Sequence, residues 1–283
     1  MATQKREGVC FEITAAMATR VVVSFVGIAL LLTTSLAQQS APFSYSGATG
    51  PEKWGSLNPN FSSCSTGKYQ SPVNIVKKEV VLKQNLEPLT RDYHPANATL
   101  INNGFNIGIK YEEGVGVLVI DKKNYSLRQM HWHSPSEHRI NGVQYSLELH
   151  LVHVADDGSI SVVSILYKYG NPNPLLSQIK DQLDEMAKEV SAGNKEARIP
   201  LGIMKIKQIK RKTKKYYRYM GSLTTPPCTG NVIWTILGKV RSVSKEQVAA
   251  LKAPLNWPCK NNCRPSQPLN GRQIQLYDAL KLH

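Results

Sequence analysis

Three of the chain's seven histidines fall within ten residues, in QMHWHSPSEH from Gln129 to His138. On a strand, alternate side chains share a face, so His131 and His133 project together while Trp132 points the other way. Two imidazoles on one face are half of a zinc site. A following segment, SLELHLVH, offers His150 and His153, which are three residues apart and so face opposite sides; only one can join the pair. Glu148 selects His150, because it lies two residues earlier on the same face, just as Gln129 lies two residues before His131. A metal-bound imidazole needs its second nitrogen held by an acceptor, and Gln129 and Glu148 are placed to provide one. A lone histidine is ordinarily a satisfied core or surface residue, but an in-register acceptor on each strand argues against that here. A peptidase reading fails on spacing: HSPSEH matches neither H-E-x-x-H nor H-x-x-E-H, and Pro135 would interrupt the helix those motifs require.

The elements that must hold these side chains read as strands. TLINNGFNIGIKY, GVGVLVI, YSLRQMHWH, YSLELHLVHVA, ISVVSILYKY, YYRYMGS and VIWTILGKV alternate in polarity and are rich in β-branched residues. The Asn-Gly, Asp-Gly and Glu-Gly pairs between them favour antiparallel hairpins. Turn-formers dominate as far as Val73, so the entry is expected to be irregular and wrapped on the surface. Helical spacing predicts one helix over Asn173 to Val190 and a shorter one over Ser244 to Lys252, capped by Ser244. The expectation is a mainly β (α+β) domain with peripheral short helices. At 283 residues the chain can bury a substantial core without a second domain.

That domain is preceded by a predicted leader. VVVSFVGIALLLTTSL, from Val21 to Leu36, follows Arg20, and Ser35-Leu36-Ala37 forms a small-x-small cleavage pattern, so residues 1–37 read as a secretory signal peptide and 38–283 as the mature domain. The run is short and Ser/Thr-interrupted for a membrane span, which needs roughly 20 apolar residues; an uncleaved anchor is the alternative. A start at Met17 would give a leader of ordinary proportions. An exported chain is expected in the extracellular or apoplastic space, or in the plastid by the secretory route. Sequons at Asn60, Asn97 and Asn124 fit a glycoprotein. Cys10 leaves with the leader. The remaining Cys64, Cys228, Cys259 and Cys263 allow three pairings; Cys259 and Cys263 could close a local loop, which leaves Cys64 with Cys228 as a long-range staple. A structural zinc site is a weak match to Cys-x3-Cys with its partners so distant.

The leader carries Lys5, Arg6 and Arg20 against Glu7 and Glu12, a net of +1, so the mature chain keeps +14 of the +15. Much of the excess lies in KIKQIKRKTKK, Lys205 to Lys215, which contains no acid. Such a run could meet an anionic lipid surface or acidic polysaccharide, or be a solvated loop or edge strand; export makes nucleic acid the least fitting partner.

A second informative stretch is YMGSLTTPPCTGNVIWTI, in which Ser222-Leu-Thr-Thr-Pro-Pro forms a stiff polar loop between two strands. Together with QMHWHSPSEH, SLELHLVH, KYQSPVNI, GPEKWGSLNP and CRPSQPLNGRQ it resembles the α-class carbonic anhydrases, and PSEH and TTPPCT are similar to the plant members. The resemblance runs from about Phe43 to Tyr277. It implies a large, mostly antiparallel twisted sheet with a conical cavity, and zinc ligation by His131, His133 and His150. It also implies that Thr224 accepts a hydrogen bond from the zinc-bound hydroxide and donates one to Glu137. The Thr224 backbone N–H would receive the substrate oxygen, and Thr225 would line the polar side. Val152, Val162, Leu223, Val232 and Trp234 would form the apolar wall for carbon dioxide, and Cys64 with Cys228 the plant-type disulfide. Three neutral histidines leave the metal's charge undiminished and a fourth position open. A bound water then ionises near neutral pH, carbonic anhydrase itself being the reference case at a pKa of about 7. The implied reaction is reversible hydration of carbon dioxide to bicarbonate.

One position departs from the family. Fast members carry a histidine after the Asn-Gly pair of INNGFNI or its equivalent, where it relays the proton to solvent; here the residue is Phe105. Zinc binding and some hydration are therefore expected, with proton export in doubt and His94 as another candidate relay. A storage or binding protein on the same fold, like the yam tuber proteins, is the competing reading.

Overall fold

Strands form where polarity alternates because one face then meets a core while the other meets a different environment. The computed structural model describes residues 42–281, apart from 113, 196, 207–208 and 211–212. The expected leader lies outside them. Among the described residues a 13-stranded sheet has as its central path Arg198–Met204, Ala96–Asn102, Ile107–Tyr111, Lys123–His133, Leu147–Val154, Ile160–Tyr169, Val232–Leu237, Lys215–Gly221, Gln275–Asp278 and Val81–Leu82. Most neighbours are antiparallel; Ile160–Tyr169 runs parallel to Val232–Leu237 and to Arg241–Val243, and Gln275–Asp278 parallel to Val81–Leu82. No helix of the described residues is long and apolar enough to cross a membrane.

The sheet's two faces carry different loads. Met130, Trp132, Leu149 and Leu151 belong to the larger apolar core on one face. The residues between them, His131, His133 and His150, therefore point to the other face, next to a second cluster containing Val162, Val232 and Trp234. A bulge between Val152 and His153 shifts the register. A third cluster joins Phe43, Tyr45 and Trp54 of the irregular entry to the Cys64–Cys228 disulfide, with Phe105 packed against it.

Two features differ from the sequence expectation. The single helix over Asn173 to Val190 is two: Pro174–Ser177 and Lys180–Ser191. Asn173 caps the first turn by accepting from the Leu175 and Leu176 N–H groups, and Ile179 leaves helical geometry with φ −114° and ψ 14°. The break lets Leu175, Leu176 and Ile179 reach the same core as Leu183 and Met186. The strand Arg198–Met204 was not expected, since Pro200 and Gly202 are poor strand formers. It lies at the sheet's edge with a bulge between those two residues, where a missing N–H is tolerated. The short helix Lys245–Lys252 forms as expected, with Ser244 and Gln247 completing a capping box. Cys259 and Cys263 are both free.

Candidate active site

The two histidine strands are antiparallel neighbours in a register that sets His150 directly opposite His131 and Glu148 opposite His133. The ligand-capable nitrogens of His131, His133 and His150 lie within 4.8 Å of one another. His153 is on the other face, where Tyr93 Oη meets its Nε2 at 2.6 Å and its Nδ1 donates to the Ser161 carbonyl.

Each of the three imidazoles uses one nitrogen as a donor and leaves the other free. His131 Nδ1 donates to Gln129 Oε1 at 2.8 Å, and His150 Nε2 to Glu148 Oε1 at 2.7 Å, both as the sequence suggested. His133 Nδ1 donates to the backbone carbonyl of Asn262 at 2.5 Å. The free nitrogens are then His131 Nε2, His133 Nε2 and His150 Nδ1. His133 Nε2 is fully buried and has no hydrogen-bond partner. Burial lowers the pKa of all three rings, that of His133 to about 4, so each is neutral with a lone pair available at neutral pH. A buried nitrogen without a partner, beside two more free imidazole nitrogens, is the environment a divalent zinc ion satisfies. The residues present fit that metal.

Glu148 organises more than His150. Its Oε1 also accepts from His138 Nδ1 at 2.6 Å and Ser164 Oγ at 2.6 Å, and its Oε2 from the backbone N–H groups of Glu137 and His138. Burial would raise this carboxyl, but His138 and His150 beside it prevail and hold it well below the usual carboxylate range. His138, Glu148 and His150 could by residue type hold a second metal. Here they are joined to one another by short hydrogen bonds, and the far side of His138 is closed by Tyr219 Oη, itself bonded to Ser71 Oγ. His138 is thus a link in a buried chain.

Glu137 is buried, and its Oε1 accepts from the Arg264 backbone N–H at 2.9 Å. Its Oε2 has no partner and stands 4.0 Å from His150 Nδ1. Burial raises the carboxyl to about 7; the Thr224 hydroxyl lies close enough to oppose that shift without closing a hydrogen bond. Thr224 itself is buried and Thr225 half-buried in a loop braced by Leu223 N–H to Thr229 O at 2.8 Å and Cys228 N–H to Thr225 O at 2.9 Å. The disulfide ties this loop to Cys64, 164 residues earlier. Val162, Val232 and Trp234 form one apolar cluster with Val152 and Leu223 packed against it, and the Trp234 ring lies 4.8 Å from the His150 ring.

The chain's residues 49–278 match the model of the eukaryotic-type carbonic anhydrases. The chain belongs to that family. It is 42% identical to alpha carbonic anhydrase 7 of Arabidopsis thaliana over 81% of each chain. It is 39% identical to dioscorin DB3S of Dioscorea polystachya, over 89% of this chain and 92% of that one. A crystal structure of dioscorin complexed with ascorbate superposes with a TM-score of 0.80 at 39% identity, covering 84% of this chain and 99% of the other. The relatives of this chain therefore include both carbonic anhydrases and dioscorins.

The roles of three residues around this candidate carbonic anhydrase site escaped the sequence reading. Asn262 supplies the carbonyl that orients His133, and its side chain accepts from Ser134 N–H and donates to the carbonyls of Phe105 and Trp132. Arg264 binds Gln70, Ser71 and Cys64 through its guanidinium while its N–H holds Glu137. His138 carries the chain from Glu148 to Tyr219. Only the motif CRPSQPLNGRQ pointed toward Arg264, and a backbone carbonyl leaves no mark in a sequence at all. Phe105 is half-buried, with its ring 4.9 Å from that of Phe43. His94 is exposed beside Asp92 on the turn after Thr90–Tyr93, two strands away from the histidine strand and toward its other end.

Proposed function

We propose that this chain is a zinc-dependent carbonic anhydrase that hydrates carbon dioxide reversibly to bicarbonate and exports the proton slowly. The observation that carries the reading is the set of three neutral imidazoles, each with its outer nitrogen tied to an acceptor and its inner nitrogen free. His131, His133 and His150 would hold the metal. Bound there, zinc supplies a Lewis acid that brings the ionisation of a water close to neutral pH. Gln129, the Asn262 carbonyl and Glu148 fix the tautomers that leave the right nitrogens open. Glu137, in its ionised form, would accept a hydrogen bond from the Thr224 hydroxyl, so that Thr224 Oγ1 is left only to accept from the attacking water. That orients the attacking lone pair, which is catalysis by positioning. The Thr224 N–H would receive the substrate oxygen, Thr225 would line the polar side, and Val152, Val162, Leu223, Val232 and Trp234 would hold the apolar substrate.

Phe105 provides no titratable group, and among the described histidines only His94 is neither in the trio nor buried in hydrogen bonds. A relay works best with a pKa near the operating pH. Turnover is therefore expected to be low in dilute buffer, to rise with added imidazole, and to rise again in Phe105→His at unchanged zinc content. Zinc analysis of the purified chain alongside a carbon dioxide hydration assay tests the whole reading; a zinc-free, inactive protein would overturn it in favour of a binding or storage role, which the dioscorin relatives support.

The chain is further proposed to enter the secretory pathway through residues 1–37. Asn60, Asn97 and Asn124 are all exposed, as glycosylation requires. Of the basic run, Lys210 is paired with Asp92 and Lys215 with Asp278. Any contact with an anionic surface would therefore fall to the other cations of Lys205 to Lys215.

A further inference from the structure

A cavity of about 620 Å³ lies on the sheet face opposite the histidine trio. That volume is in the range of small-molecule sites. Its floor is the Lys215–Gly221 strand, where Arg218 and Met220 alternate with Tyr217 and Tyr219, which face the trio's side. Leu86, Ile120, Ile233 and the exposed Met220 supply apolar walls, and Tyr69 stands at the rim.

Arg218 is the unusual group. Its side chain is only 10% exposed and its guanidinium lies 5.1 Å over the Tyr216 ring, yet it makes no hydrogen bond to the described residues, and its Nε is buried without a hydrogen-bond partner. Its one acidic neighbour among the described residues, Asp121, is 3.9 Å away and 84% exposed, too distant and too solvated for more than weak attraction. Directly across the strands from Arg218 stand Thr235 and Gln275. The Thr235 hydroxyl is also buried without a partner. Buried guanidinium groups are normally paired, and leaving their donors unmet costs free energy. The other arginine of the cavity, Arg272, spends its donors on the carbonyls of Leu269, Met220, Gln70 and Pro268, so it adds charge but offers little bonding capacity.

We propose that this cavity binds a small organic monocarboxylate, its carboxylate on the Arg218 guanidinium and its apolar body against Ile120, Ile233 and Met220. A planar guanidinium with free donors matches a carboxylate. The apolar walls favour an organic body over a bare inorganic anion, and Asp121 offsets part of the positive charge, which favours a single negative charge. The site is separate from the trio, so it gives this chain a ligand independent of its hydration chemistry.

Titration calorimetry of the purified protein with benzoate, benzamide and sulfate tests this, using Arg218→Met and Met220→Glu. The glutamate would place a carboxylate two residues along the same face as Arg218, as an internal competitor. Saturable benzoate binding is expected, weakened roughly ten-fold or more in both variants, with benzamide and sulfate binding far more weakly than benzoate. Undiminished binding to folded Met220→Glu would place the ligand elsewhere, the metal site included, and overturn the proposal. So would the absence of saturable binding, which would leave the cavity to water, and so would sulfate binding as tightly as benzoate. If Arg218→Met fails to fold, Met220→Glu decides alone.

Discussion

Asn262→Ala removes one side chain and tests how the proposed metal site depends on a segment far along the chain. Asn262 is 2% exposed. Its Oδ1 accepts from Ser134 N–H at 2.8 Å, and its Nδ2 donates to Phe105 O at 3.0 Å and Trp132 O at 3.1 Å. Alanine leaves a buried N–H with no acceptor and takes one donor from each of two carbonyls. An orphaned buried group costs about 1 to 3 kcal/mol, and under-satisfied carbonyls, the more easily tolerated kind, lie at the low end, so the sum is about 3 kcal/mol. The same loss frees the Asn262 backbone, whose carbonyl holds His133 Nδ1. Losing an outer partner of a ligating histidine typically weakens metal binding by about 10- to 100-fold. Asn262→Asp should do no better, because it keeps the acceptor for Ser134 but turns an oxygen toward two carbonyls. Urea denaturation of zinc-free protein gives the first quantity and chelator competition the second. An alanine variant within about 0.5 kcal/mol of wild type, with unchanged zinc affinity, would refute the reasoning, since that is the range of an ordinary surface substitution.

His150→Gln is expected to lose most zinc and activity while His153→Gln loses little, measured by metal analysis; equal losses would mean that the wrong face of that strand was assigned. Replacing Cys64 and Cys228 by serine should cost about 2 to 5 kcal/mol, read by denaturation, as for other native links across long loops. A loss under about 1 kcal/mol would show the loop to be held by its other bonds. His153 has its pKa lowered by burial to about 3, against 6.5 for the free side chain. Between these values the unfolded chain binds a proton that the folded chain refuses, so this group's contribution is intact above 6.5 and is lost as pH falls toward 3, at no more than about 1.4 kcal/mol per pH unit. The His153→Gln variant should therefore lose stability less steeply between pH 6 and 4; an unchanged slope would assign the acid sensitivity to other groups.

What could be read in advance was whatever depends on period and neighbourhood. His131, His133, Gln129, Glu148 and His150 lie on two strands, where a two-residue spacing fixes a shared face, so their convergence follows from alternation once the strands are granted. The Asn173 to Val190 stretch failed for the converse reason: helical spacing persists through Gln178 and Ile179, and only the capping geometry of Asn173 and the demands of the core reveal the break. Arg198–Met204 was hidden because Pro200 and Gly202 argue against a strand, and only its edge position makes them acceptable. Asn262, Arg264 and His138 act through contacts made by tertiary folding; His138 and Arg264 lie inside the motifs quoted, but no local pattern gives their partners.

The Arg264 contacts carry a consequence in time. One guanidinium binds Cys64, Gln70 and Ser71, while the adjoining backbone holds Glu137 and, two residues earlier, His133. The three histidines leave the ribosome more than a hundred residues before Asn262 does. Until Asn262 arrives, His133 would lack the acceptor that sets its tautomer, and the pocket would bind metal more weakly. Tight metal capture would then await Asn262, and a chain cut short before it would hold metal more weakly even with its three histidines present.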